Sequence, residues 1–273
     1  MQISRVGVIS NPKLDPGKIK TIVECLDSGD VTLYFDPHTA EKINQKPTDA
    51  DSMDVDVVVL VGGDGTFLWA ASKVKPDTLL LPINAGGVGY LSEISLDTAG
   101  DGIQKLLRGD FHVEKRMKLS VGERYEILNE AIISTTLPAT LLEFNLILDG
   151  SETINLKSDG ILVSTPTGST AYSFSLGNPI IHPHTKAYIV SPISPLRRDR
   201  AAIVVPSTTV LTVELVQEEG DANLILDGQC RETLPAGTSM VFRESEHTAD
   251  FVRFSGDFSH HYVNIWERRG WDG

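Results

Sequence analysis

The chain is poor in cysteine, in positive charge and in long apolar runs, and each shortage narrows what it can be. Its two cysteines, Cys25 and Cys230, are far apart and form no C-x-x-C pair, so neither a disulfide framework nor a zinc site is indicated. A reducing cytoplasm is the expected setting. The 24 Lys and Arg face 37 Asp and Glu, a formal net charge of −13, and no basic run is longer than two residues. Such a chain is a poor partner for nucleic acid or anionic lipid, and a polyphosphate would have to be met by metal ions or backbone N–H groups. The longest uncharged stretch, Gly160 to Thr185, is full of Ser, Thr, Pro and Gly and cannot span a bilayer. The start, Met1 to Ile9, has no basic region followed by an apolar one, so no signal peptide is read. No G-x-x-x-x-G-K-[ST], G-x-G-x-x-G or G-x-S-x-G pattern occurs. His182-x-His184 and His260-His261 lack acidic or Cys partners at metal spacing.

What remains is the balance of a soluble globular protein: 41% hydrophobic, 22% charged, 23 Gly and 14 Pro. Its 273 residues suit one large domain or two ordinary ones. The first 110 residues alternate strand and helix signals. Apolar runs at Val6–Ile9, Val31–Phe35, Val57–Val61 and Leu79–Ile83 alternate with helical spacing over 17–28, 67–74 and 97–108. Five consecutive apolar residues at 57–61 suit a strand covered on both faces, so an open, mostly parallel α/β sheet is expected. After Phe111 the helical period fades. Strand-like segments follow at 111–121, 125–135, 140–149, 153–164, 187–191, 201–205, 208–216, 222–227, 239–244 and 249–254. The expectation is an all-β sandwich over 111–255, an α/β domain over 1–110, and a tail, 256–273, packing back on the first domain.

Three polar clusters break these patterns. Gly62-Gly63-Asp64-Gly65-Thr66 follows the buried strand and precedes a helix, where backbone N–H groups and the helix dipole favour a phosphate. Three glycines at these offsets arise by chance in roughly one chain in ten of this length, and adding Asp and Thr lowers that to a few in ten thousand. A carboxylate in a phosphate-binding turn repels its ligand, so Asp64 reads either as a helix cap or as a group that orients or deprotonates a hydroxyl or helps to hold Mg²⁺. Asn84 to Leu91, with Gly86, Gly87, Gly89 and Tyr90, suggests close backbone approach to a ligand with a ring stacked on it, or a plain loop. Ser164 to Ser175 carries seven Ser or Thr in twelve residues, whose hydroxyls must bond a nearby backbone or a ligand. Asn129-Glu130 interrupts an apolar strand, as inward-facing polar groups or as a strand-edge pair.

These segments, with Ser158-Asp159-Gly160 and Asp227-Gly228-Gln229 in the same order, resemble the NAD kinase family over about Val6 to Trp271. The long Ser/Thr motif is nearly diagnostic, whereas Gly-Gly-Asp-Gly-Thr alone is shared with lipid kinases and phosphofructokinases. The resemblance implies an N-terminal α/β domain, a C-terminal β-sandwich, and phosphoryl transfer from ATP, or polyphosphate, to the adenosine 2′-hydroxyl of NAD. By position it makes Asp64 the proton acceptor, with Gly62, Gly63 and Thr66 as the phosphate loop and Gly65 against the ligand. It places Asn129, Glu130 and Asp159 on ribose and ring groups. Thr167, Thr170, Ala171, Tyr172 and Ser175 line the dinucleotide pocket, and Gln229 and Tyr90 complete it. Lys157 falls at the position associated with choosing NAD⁺ over NADH, where a cation disfavours the broader specificity. Mg²⁺ is expected with the nucleotide rather than at a fixed protein site, and a homodimer or homotetramer is implied. Two segments depart from the family pattern, Pro195–Ala202 at a subunit or inter-domain surface and Leu176-Gly177-Asn178-Pro179 at the pocket rim. A lipid kinase and a nucleotide-sensing module without chemistry are the competing classes.

Overall fold

The computed structural model describes residues 3–255 apart from 87–88, 93, 138–139, 198–200 and 217–220. The chain forms two compact units, Met1–Lys115 with the C-terminal segment from Ala249, and Arg116–Thr248. The expected tail, 256–273, lies outside the described residues.

The first unit alternates strand and helix. In chain order it holds β1 (Arg5–Ser10), α1 (Pro16–Asp27), β2 (Thr32–Phe35), α2 (Pro37–Ile43), β3 (Val57–Gly62), α3 (Asp64–Ala71), β4 (Leu79–Asn84), β5 (Ile94–Ser95) and α4 (Ala99–Arg108). The strands are parallel in the order β2-β1-β3-β4-β5, and β3, apolar from end to end, is wholly buried. α1 starts where Asp15 accepts the Gly17 N–H at 2.9 Å and Pro16 presets the first turn; it buries Ile19, Ile22 and Leu26, the stripe its periodicity predicts. α4 buries Ile103 and Leu106 and stops at Gly109, φ 78°. α2 has the same Asp-Pro start but only seven residues, too short for a legible apolar period. Strand order reverses between β1 and β3. The carboxyl ends of such neighbouring strands are where open α/β sheets bind ligands.

The second unit is antiparallel. Its strands are β6 (His112–Val121), which begins in the first unit, β7 (Tyr125–Ile127), β8 (Glu130–Thr135), β9 (Leu142–Leu148), β10 (Glu152–Ser164), β11 (Ala187–Pro195), β12 (Ile203–Pro206), β13 (Leu211–Leu215), β14 (Ala222–Leu226), β15 (Cys230–Leu234) and β16 (Ser239–Arg253), with a single helical turn, α5 (Tyr172–Ser175). The long β10 changes partners: Glu152 to Ser158 pairs with β9, and Ser158 to Ser164 pairs with β8 and β11. It thereby belongs to two leaves, β15-β14-β8-β10-β11-β12 and β10-β9-β13-β16 with β6 and β7 beyond. Phe144, Val213 and Phe242 of one leaf share a single apolar cluster with Ile133, Val163 and Tyr188 of the other, the expected sandwich.

Three details differ from the sequence expectation. The segment 125–135 is two strands broken at Leu128-Asn129, and 239–244 with 249–254 is one strand of 15 residues. The end of that strand, Asp250 and Phe251, runs parallel to Leu79 and Leu80 of β4. β15 escaped notice because its Arg-Glu-Thr centre is polar, as suits a strand paired on one side only. Among the described residues no helix is long and apolar enough to cross a membrane.

Candidate active site

The glycine-rich turn of the first unit is part of a helix. α3 begins at Asp64 itself, with Gly63 as its N-cap and no side-chain cap. The reading of Asp64 as a helix cap is therefore incorrect. Its carboxylate is instead taken by another segment: the Tyr90 N–H donates to Oδ2 at 3.0 Å and the Leu91 N–H to Oδ1 at 3.2 Å. Burial pushes the Asp64 carboxyl up and these two amides pull it back, with a net rise above the usual carboxylate range. A side chain at Gly62 would bring its Cβ within 2.6 Å of the Thr66 hydroxyl, so glycine is required there by packing. At Gly63 a Cβ would meet nothing closer than the Gly86 carbonyl at 3.9 Å. Packing within the protein does not demand that glycine; a ligand approaching the helix N-terminus would. Asn11, just past β1, donates from Nδ2 to Thr66 at 3.3 Å and ties the end of β1 to the first turn of α3. It carries no motif signal and was missed in the sequence. Gly65 is exposed and Thr66 half-buried beside Asp64. Tyr90 contributes its amide to this arrangement.

The second unit builds its own carboxylate-centred turn. Asp227 and Gly228 are both left-handed, φ 49° and 66°, with the Gln229 N–H on the Leu226 carbonyl at 2.8 Å, the geometry an Asp-Gly hairpin turn favours. The Asp227 carboxylate then accepts three amides, from Leu128 at 2.9 Å, Asn129 at 2.7 Å and Glu130 at 3.1 Å. This clamp explains the break between β7 and β8: the amides there serve Asp227 rather than a ladder. Gly168 packs so closely on Asn129 that a Cβ would lie 2.3 Å from its carbonyl oxygen. Glu130 is 7% exposed and accepts the Tyr172 N–H. Its Oε2 has no partner among the described residues. Burial, and then the negative Asp227, push the Glu130 carboxyl up to about 8. Both causes favour the neutral form, which can donate a hydrogen bond.

The density of hydroxyls finds its explanation mostly within the protein. Thr165 donates to the Leu128 carbonyl at 2.5 Å, Ser164 to Thr165 at 3.1 Å, Ser169 to Pro166 at 2.6 Å and Thr170 to Thr167 at 3.1 Å. Thr167 is buried and accepts from Arg116 at 3.4 Å. Asn178, in the segment that departs from the family pattern, donates to Ser173 at 3.1 Å. These bonds hold the 165–178 segment as one piece, and Tyr172 and Ser175 remain exposed on it with Ala171 half-buried.

Both halves of this architecture match known domains. The ATP-NAD kinase N-terminal domain matches residues 27–111, and the ATP-NAD kinase C-terminal domain matches residues 128–254. The NAD kinase of Methanothermobacter thermautotrophicus is 37% identical over 214 residues, covering 77% of this chain and 76% of that protein. The chain belongs to the NAD kinase family. The NAD kinase of Methanosphaera stadtmanae is 32% identical over 263 residues, 93% of this chain and 96% of that one. A crystal structure of an NAD kinase from Archaeoglobus fulgidus in complex with ATP superposes with a TM-score of 0.82 at 27% identity, covering 96% of this chain and 98% of that chain.

Within the family frame, the sequence-predicted residues divide between the units. Gly62, Gly63, Asp64, Gly65, Thr66 and Tyr90 lie in the first, and Asn129, Glu130, Lys157, Asp159, Thr167, Thr170, Ala171, Tyr172, Ser175 and Gln229 in the second. Asp159 sits where β10 changes partners. Lys157 Nζ lies 2.9 Å from Glu143 Oε2, its cross-strand neighbour. Asp227, read only as part of a motif, is the residue whose role sequence reasoning missed; the left-handed Asp-Gly turn was its signal. Among the described residues no three His, Cys, Asp or Glu side chains converge as a metal set.

Proposed function

We infer that the chain is an NAD kinase that transfers the terminal phosphoryl group of ATP to the 2′-hydroxyl of the adenosine ribose of NAD, giving NADP. The observation that carries the mechanism is Asp64: a desolvated carboxylate with a raised pKa, oriented through both oxygens by two amides at the ligand-binding edge of the sheet. A base of this kind accepts the 2′-hydroxyl proton as that oxygen forms its bond to the γ-phosphorus and the bond from phosphorus to the β-phosphate oxygen breaks, releasing ADP. The positive end of α3 and the glycine backbone at 62–65 favour the phosphates. Mg²⁺ enters with ATP as part of the substrate and spreads the negative charge of the phosphates. This accords with an acidic chain that offers backbone donors and not basic side chains.

In this reading Asn129, Glu130, Asp159, Thr167, Thr170, Ala171, Tyr172, Ser175 and Gln229 of the second unit bind nucleotide, with Glu130 as hydrogen-bond donor, as does Tyr90 of the first. Lys157 disfavours NADH. A homodimer or homotetramer in the cytoplasm, using ATP or polyphosphate as donor, completes the proposal. The test is NADP⁺ formation from NAD⁺, Mg²⁺ and ATP, with polyphosphate and NADH in parallel. Asp64→Asn is expected to lower kcat by about 10² to 10⁴ while NAD binding stays within a few-fold. Wild-type turnover in that variant would remove Asp64 from the mechanism.

A further inference from the structure

Asp64 is oriented by the amides of Tyr90 and Leu91, which belong to the connection between β4 and β5. Gly86 and Gly89 have φ of 146° and 63°, and the bonds within it include an Asn84–Gly86 turn at 3.0 Å and a Ser92–Gly89 contact at 3.3 Å. A further bond to it comes from 162 residues away. Arg253, the last residue of β16, donates from Nη1 to the Leu91 carbonyl at 2.9 Å. Its Nε donates to Glu114 Oε2 of β6 at 2.7 Å, and its guanidinium lies 5.0 Å over the Phe251 ring. Both charged side chains are nearly inaccessible, 5% and 6% exposed.

A buried ion pair is a poor source of net stability, since desolvation offsets most of the attraction and an apolar pair often does as well. What Arg253 supplies that an apolar residue cannot is a directed donor on one peptide unit. The far side of that residue, the Leu91 N–H, binds Asp64. We propose that the Glu114–Arg253 pair is a positioning device for the phosphoryl-transfer base: Glu114 fixes the guanidinium, the guanidinium fixes Leu91, and Leu91 with Tyr90 fixes Asp64. The proposal rests on the reading of Asp64 as the base. The charged groups on the two strands are Glu114, Lys115, Arg116 and Lys118 on β6 and Arg243, Glu244, Glu246, Asp250 and Arg253 on β16, with Lys115 paired to Asp250 at 3.4 Å. Burial raises the Asp64 carboxyl and the two amides hold it down. While the carboxylate stays buried beside α3, weaker amide contacts let burial raise it further.

The experiment compares wild type, Arg253→Lys, the double variant Glu114→Gln/Arg253→Met and Asp64→Asn, in NADP⁺ formation across pH and in thermal melting. The double variant removes both charges of the pair at similar volume, so it is expected to fold. Its kcat is expected to fall at least tenfold, with KM for NAD and for ATP within about threefold, and the acidic limb of kcat is expected to move up by at least half a pH unit. Arg253→Lys, which keeps a donor and the charge, is expected between the two. A folded double variant with wild-type kcat and an unmoved acidic limb overturns the positioning role, as does a loss of kcat without any movement of the limb. Should Asp64→Asn itself turn over normally, the base assignment falls and takes this proposal with it; an inert Asp64→Asn beside a normal double variant discards the positioning role alone.

Discussion

The two units use one device for opposite ends. In the first, the Asp64 carboxylate is held by the amides of Tyr90 and Leu91 and is half-exposed; in the second, Asp227 is held by three amides and is 7% exposed. Burial raises both carboxyls and the amides oppose it. At Asp64 the loop serves the carboxylate, the reacting group of the proposed mechanism. At Asp227 the carboxylate serves the loop, whose Asn129 and Glu130 are proposed to bind the nucleotide. On that proposal, a carboxylate on backbone amides is a structural joint when it is fully enclosed and a reagent when one side stays open.

The sharpest way to break this contrast is to remove each carboxylate and compare stability. Asp227→Ala orphans three buried amides and places alanine at φ 49°, so it is expected to lower stability by at least about 3 kcal/mol. Asp227→Asn, which tolerates the left-handed turn and keeps one acceptor, should lose less. Asp64→Ala is expected to change stability by less than about 1 kcal/mol, since losing a desolvated charge offsets much of the cost of leaving the Tyr90 and Leu91 amides unpaired. Chemical denaturation measures all three, and equal losses in Asp227→Ala and Asp64→Ala would erase the distinction.

A middle-sized effect lies in pH. Glu130 has a folded-state pKa of about 8, well above its ordinary 4.5, so the folded protein holds that proton more tightly than the unfolded chain. Stability from this group is fully present below about pH 4.5 and is lost as pH rises through 8. Glu130→Gln should therefore melt above wild type at pH 8.5, with the gap closing toward pH 4.5. Asp227, also raised, leaves a residual slope at the acidic end in the variant. A melting temperature of wild type that does not fall between pH 5 and 8 would show Glu130 ionised throughout.

The smallest effect is expected at Lys157. Its pair with Glu143 joins side chains 52% and 43% exposed, and such pairs contribute at most about 1 kcal/mol. Lys157→Ala should leave melting nearly unchanged and raise the rate with NADH relative to NAD⁺. An unchanged ratio would leave Lys157 as a surface ion pair and nothing more.

Much of the architecture was legible from the chain. Val57–Val61 announced a strand covered on both faces, Ile19, Ile22 and Leu26 the inner stripe of α1, and Phe144 and Leu146 the alternation of a sandwich strand. Asp64 stood out because a carboxylate in a phosphate-binding turn repels its ligand, which left a helix cap or a chemical role. The Ser/Thr run stood out as well, but hydroxyl density does not say whether backbone or ligand takes the bonds, and at Ser164, Thr165, Ser169 and Thr170 backbone takes them. Asn11 and Arg253 had no signal because each works through hydrogen bonds to distant segments.

The sequence by itself determined which face of each strand and helix is apolar, where the chain turns, and which residue types carry the chemistry, because side-chain direction follows from local backbone period. Only the tertiary structure decided whose amides hold Asp64 and Asp227, and that Arg253 reaches Leu91. Hydrogen bonds depend on register between segments tens to hundreds of residues apart. Apolar burial is non-directional and tolerates many registers; a carboxylate on two or three amides tolerates one.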